Sequence, residues 1–309
     1  MQWLERAEWE SRATAHRERL RPFVEPHLER RRHAVKHPVH DFLFTYYGFR
    51  PAQLLRWHPG AGVALADAPE YDGLKGYAPV PGEGSEAAPD LDPAGSAVTV
   101  TAAYVASQRT LLQALRRLLA ATAARPASFG CFGLHEWAMV YRLDEDETRH
   151  ADWPLRLGPA GTDAVVESHR VACSHFDAYR FFTPAARPLN ALRPGPDDRP
   201  DFEQPGCLHA TMDLYKHAAR LVPMVSSDLV ADCFELARDV RVLDMRAAPY
   251  DLTGLEVDGE PFVPVPIETA AGKQEYAAAQ RGFAERAAPL RARLLAECER
   301  LLATLDDPQ

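Results

Sequence analysis

The feature that most constrains this chain is apolar spacing at the helical period in four stretches, with no strand-then-helix alternation between them. In residues 101–124, Tyr104, Leu111, Leu112, Leu115, Leu118 and Leu119 recur on one helical face, and Arg125-Pro126 ends the run. Residues 207–222 and 227–238 read as two further helices, the second capped by Ser226 or Ser227 with Asp228 in its first turn. Residues 274–305 form a long amphipathic helix that Pro289 interrupts or kinks. A doubly wound sheet needs repeated strand–helix units. The spacing instead predicts a mainly α fold with a few short strands: a single large helical domain over residues 1–309, without a Rossmann-type sheet.

The remaining segments are less regular. Residues 1–20 read as a charged amphipathic helix carrying Trp3, Leu4, Trp9 and Leu20. The aromatic run 41–47 suits either a buried helix or a strand, and 129–142 is an apolar segment with a polar insert. Val165, Val166, Val171 and Phe176 suggest a strand, and Val257-Asp258-Gly259-Glu260 a hairpin turn. Long loops are expected at 67–96, 144–163 and 184–205, the last holding six Pro.

Composition excludes whole classes. At 46% hydrophobic and 26% charged, 309 residues suffice for a large core. No apolar run approaches the ~18 residues of a membrane span, and the opening MQWLERAEWESR has no apolar signal core. The five cysteines are odd in number and lack a Cys-x-x-Cys spacing. A cytoplasmic protein with reduced thiols and no membrane partner is therefore expected. The net charge of −9 is uneven: residues 1–60 hold eleven Lys and Arg against seven Asp and Glu, with six of the twelve His. Arg30, Arg31, Arg32 and Lys36 form the one dense cationic run, read either as a phosphate-binding strip or as a solvated helix face.

Ionisable residues interrupt three central apolar strings. The first holds His135 and Glu136, with Trp137 and Tyr141 beside them. The second packs Glu167, His169, His175, Asp177, Tyr179 and Arg180 into fourteen residues. The third places His209, Asp213 and His217 at i, i+4 and i+8 of a helix, flanked by Tyr215 and Lys216. Buried charges need partners or a metal, so the catalytic candidates are Glu136, Asp213, His135, His175, Asp177 and His209. The competing explanation is a structural hydrogen-bond network.

No cofactor is expected. The alternative is a divalent metal held among His135, His169, His175, His209 and Asp213, in an enzyme acting on a small molecule. A Gly-x-Ser-x-Gly elbow and a Gly-rich phosphate loop are both absent from the sequence. The rings of Trp137, Tyr141, Tyr179 and Tyr215, with Arg180 and Lys216, would suit a flat cationic guest such as an alkylated purine.

Five strings carry a family resemblance: His37-Pro-Val-His-Asp-Phe-Leu-Phe-Thr-Tyr-Tyr47, Arg56-Trp-His-Pro-Gly60, Gly133-Leu-His-Glu-Trp137, Ser174-His-Phe-Asp-Ala-Tyr-Arg-Phe-Phe-Thr-Pro184 and Leu208-His-Ala-Thr-Met-Asp-Leu-Tyr-Lys216. Across almost the whole chain the sequence resembles an actinobacterial family labelled 3-methyladenine DNA glycosylase. The resemblance implies a DNA-repair hydrolase that flips an alkylated purine out of damaged DNA. In that setting Glu136 or Asp213 would be the carboxylate that stabilises the sugar cation or activates water.

Overall fold

The structure, a computed structural model, describes residues 1–80, 97–143 and 153–306. The described residues are mainly helical with a small β component. Four helices build the centre. α10 (Leu208–Arg220) packs on α11 (Ser227–Arg246) and on α12 (Ala270–Asp306), and α12 lies along α5 (Arg109–Ala124). α5 buries Leu112, Leu115, Leu118 and Leu119 on one stripe, as an amphipathic helix should. α10 differs: apolar and polar side chains are buried on all its sides, His209, Asp213 and His217 included.

At the N-terminus, β1 (Gln2–Leu4) precedes α1 (Arg6–Arg32), which continues through Pro22 and Pro26. α2 (Phe42–Thr45) and α3 (Pro51–Leu55) follow. β2 (Val63–Leu65), β3 (Tyr77–Pro79) and β4 (Val98–Val100) complete a sheet of order β1-β2-β4-β3, in which only β1 and β2 run parallel. Leu4, Trp9, Trp57, Leu65, Tyr71 and Val98 form a separate apolar cluster there.

The central segments are short. α4 (Ala102–Ser107) is capped by Thr101, whose hydroxyl accepts from the Tyr104 N–H. α6 (Leu134–Ala138), α7 (Gly158–Glu167), α8 (Phe176–Tyr179) and α9 (Arg199–Phe202) lead to α10. Ser226 caps α11 by accepting from the Asp228 N–H. The hairpin of β5 (Glu256–Val257) and β6 (Glu260–Pro261) turns through left-handed Asp258 and Gly259, at φ 57° and 81°. That is the pattern of a type I′ turn.

Several expectations are corrected. Leu4 and Trp3 lie in β1, because pairing with Val63–Leu65 holds them extended and Glu5 breaks the chain before α1. The 101–124 helix divides at Gln108. The suggested strand over Val165–Phe176 is absent: Thr162, Val165 and Val166 sit at helical spacing on the buried side of α7, and Phe176 opens α8. Here packing overrides β-branched preference. The loop expected at 144–163 becomes helix from Gly158, and residues 144–152 lie outside the described residues, as do 81–96 of the loop expected at 67–96.

Candidate active site

Two clusters of buried charge meet at α10. The first joins α6 to α11. His135 Nε2 lies 3.0 Å from Asp244 Oδ1, and Arg241 donates to Asp244 Oδ2 at 2.6 Å and to Glu136 at 3.1 Å. Arg241 also lies over the Phe42 ring at 3.9 Å. Gly133 makes this docking possible. It has φ +72°, and a Cβ there would stand 3.2 Å from Ala247 Cβ and 3.4 Å from the Tyr276 ring.

The second cluster joins α8, α9 and α10. Asp213 Oδ2 accepts from Arg199 at 2.7 Å and lies 3.3 Å from His175 Nε2, while Asp213 Oδ1 accepts from the Tyr47 hydroxyl at 3.0 Å. Glu203 pairs with Arg199 and lies 3.4 Å from His175. Lys216 donates to Asp177 at 2.6 Å, and Arg180 lies 3.6 Å from the same carboxylate.

His209 stands between the clusters. Its ring is edge-on to His135 at 4.4 Å between centroids and 5.3 Å from His175. Burial pushes its pKa down, the charge of His135 adds to this, and His209 is held well below 6.5. Burial acts on His135 in the same direction, but the Asp244 carboxylate outweighs it and holds His135 well above 6.5. Asp213 is also held below the usual carboxylate range: His175 and Lys216 overcome the effect of burial. A cavity of about 610 Å³ opens on this junction, lined by His135, His209, Cys131, Tyr276, Gln280 and His169 among others.

Of the four histidines expected to meet, His135, His175 and His209 do so. His169 lines the cavity but hydrogen-bonds Val165 O at 2.6 Å, outside both clusters. The expected metal set is therefore only partly assembled. Ligand atoms of His135, His209 and Asp244 lie within 4.8 Å of one another, and Asp213 serves the other cluster. His217 is buried, its Nδ1 has no partner among the described residues, and burial lowers its pKa to about 3.

The expected aromatic slot is dispersed. Trp137 is core, donating to Ala247 O at 2.8 Å. Tyr141 donates to Glu167, Tyr179 packs edge-on to Phe182, and Tyr215 lies among Tyr47, Phe49 and Phe234. Of the cationic run, Arg30 is bound to Asp41 at 2.6 Å and Arg32 to Glu29. Arg31 and Lys36 line a separate groove of about 1180 Å³ with Arg50, Phe42, Phe49 and Trp153.

Sequence reasoning missed Asp244, Arg241, Arg199, Glu203, Tyr47 and Cys131. A signal existed for two of them. Val230, Phe234, Ala237, Arg241 and Asp244 follow a four–three spacing on α11, so two charges occupy an otherwise apolar stripe. Comparisons with family models, curated proteins and solved structures find no match to this chain.

Proposed function

We propose that the chain is an enzyme acting on a small molecule in the 610 Å³ cavity, with His135 as its acid and His209 as its base. One observation carries this reading. Two imidazoles 4.4 Å apart line one cavity while their surroundings drive their pKa values in opposite directions. Such divergence is how one site supplies both proton donor and acceptor. The charges in the first cluster balance as protons require: Glu136 and Asp244 against Arg241 and the His135 imidazolium. Histidine-resolved NMR titration tests the assignment. His209 should titrate well below the ordinary 6.5 and His135 well above it; both titrating near 6.5 overturns it.

A metal-dependent form of this enzyme would use His135, His209 and Asp244, a two-histidine, one-carboxylate set. The Arg241 guanidinium 2.6 Å from Asp244 weighs against a second cation there. Equilibrium dialysis against zinc, manganese and iron(II) separates the forms: tight binding of one ion, lost in Asp244→Asn, favours the metal.

A second reading, excision of alkylated bases from DNA, draws on the family resemblance and on the 1180 Å³ groove. Arg31, Lys36 and Arg50 alternate there with Phe42, Phe49 and Trp153, the combination by which nucleic-acid grooves hold phosphates and stack bases. Release of free base from N-methylated duplex DNA supports it. No release at high protein concentration, with a known glycosylase active in parallel, removes it.

A further inference from the structure

Cys131 also lines the 610 Å³ cavity, with its Sγ 3.8 Å from His135 Nδ1. The opposite ring nitrogen, Nε2, faces Asp244 Oδ1 at 3.0 Å. Thiol, imidazole and carboxylate thus stand in line, and the fully buried Asp244 fixes the ring so that Nδ1 faces the sulfur. The chain leaves the thiol through two successive left-handed residues, Phe132 at φ 48° and Gly133 at φ 72°. A non-glycine residue in that region is strained, and such strain collects where a reactive group must be held out of the regular backbone path.

An independent observation points to a ligand. Gln280 is 1% exposed and lines the same cavity. Its Nε2 donates to Gly206 O at 2.6 Å, while its Oε1 has no partner among the described residues. A buried acceptor without a donor is costly unless something supplies one.

We propose that Cys131 is a nucleophile, activated by His135 and oriented through Asp244, for acyl transfer from a small amide or ester, with Gln280 Oε1 accepting a hydrogen bond from it. This rests on the acid–base reading of His135 and adds the reaction class. Cys131 reacts as the thiolate paired with the His135 imidazolium, and its sulfur forms a bond to the acyl carbon. The bond from that carbon to the leaving nitrogen or oxygen breaks, and His135 gives its Nδ1 proton to the leaving group. Water, deprotonated by His209, then adds to the thioester carbon. The C–S bond breaks to give back the thiolate, the acid leaves, and the proton held by His209 passes to His135. The net reaction is hydrolysis, with no oxidant or cofactor.

The other cysteines are internal controls. Burial pushes the thiols of Cys173 and Cys207 up, and those of Cys233 and Cys298 to about 12. Alkylation by iodoacetamide at neutral pH, mapped by peptide mass spectrometry, tests the proposal on the intact chain. Cys131 should react selectively among the five cysteines, and about tenfold more slowly in His135→Gln. p-Nitrophenyl acetate should leave an acetyl group on Cys131 of the wild type and none in Cys131→Ser. Alkylation of Cys131 no faster than that of a free thiol such as glutathione overturns the proposal, and this wild-type rate decides even where His135→Gln fails to fold. Absence of the acetyl adduct overturns it as well. If the histidine titrations diverge as expected while Cys131 behaves as an ordinary thiol, this inference alone fails. If both histidines titrate near 6.5, the underlying reading fails with it.

Discussion

The two charge clusters flanking His209 use the same chemistry to different ends. Around Asp244 every ionised group is nearly solvent-free, and two acids meet two cations. Around Asp213, three carboxylates face Arg199, Lys216 and Arg180; the Arg199 and Lys216 side chains remain 16% and 22% exposed, and His175 lies within 3.4 Å of two of the carboxylates. The first is a sealed unit with one open side, the cavity. The second is a clasp that ties α9 and Tyr47 to α10 and retains contact with water. Buried ion pairs gain little over well-packed apolar groups, yet breaking one is costly because it strands a charge. The sealed unit should therefore be the more fragile under single substitution.

Asp244→Ala should produce the largest loss, about 3–5 kcal/mol, because it strips His135 of its counter-ion and leaves Arg241 to Glu136 alone. Urea unfolding at neutral pH measures it; a loss under about 1 kcal/mol would show that water reaches the cluster and would break the comparison. Asp213→Asn should cost less, about 2 kcal/mol, since Arg199 and Lys216 can recover solvent and keep Glu203 and Asp177. Equal losses at the two sites would remove the distinction between sealed and clasped.

The smallest effect concerns pH, and its sign differs between the regions. The folded-state pKa of His135 lies above 6.5, so its contribution is complete below 6.5 and is lost as pH rises through the folded value. His217, beside the Asp213 cluster, is lowered to about 3. Its contribution is complete above 6.5 and is lost as pH falls from there toward 3. Between about pH 6 and 5 this amounts to about 1 kcal/mol, which His217→Gln should abolish in paired urea titrations. An unchanged slope in that variant would assign the acid sensitivity to other groups.

The helical framework was legible because α5, α10 and α11 repeat apolar residues at their own period, and the cap at Ser226 and the turn at Asp258-Gly259 have local causes. The three-residue strands were not, since β1 exists only by virtue of β2, some sixty residues away. The site divides in the same way. His135, His175, His209 and Asp213 were visible as polar breaks in apolar strings. Asp244 and Arg241 were not, because Arg-Asp-Val-Arg-Val-Leu-Asp-Met-Arg reads as an ordinary charged helix until its buried stripe is traced. Arg199 and Glu203 lie in a Pro-rich segment whose composition suggests only a surface loop.

A helix buried on nearly all its sides has a consequence for the order of assembly. α10 cannot settle until partners from residues 47, 175, 199 and 203 are in place before it and those of α11 and α12 behind it. During synthesis the last of these, α12, begins fifty residues after α10 ends, at Ala270 against Arg220. Until then its histidines and Asp213 stay in water, with no energetic reason to leave. Burial of the charged centre is thus a late, all-together event, set by contacts of long sequence separation rather than by the speed at which any helix forms.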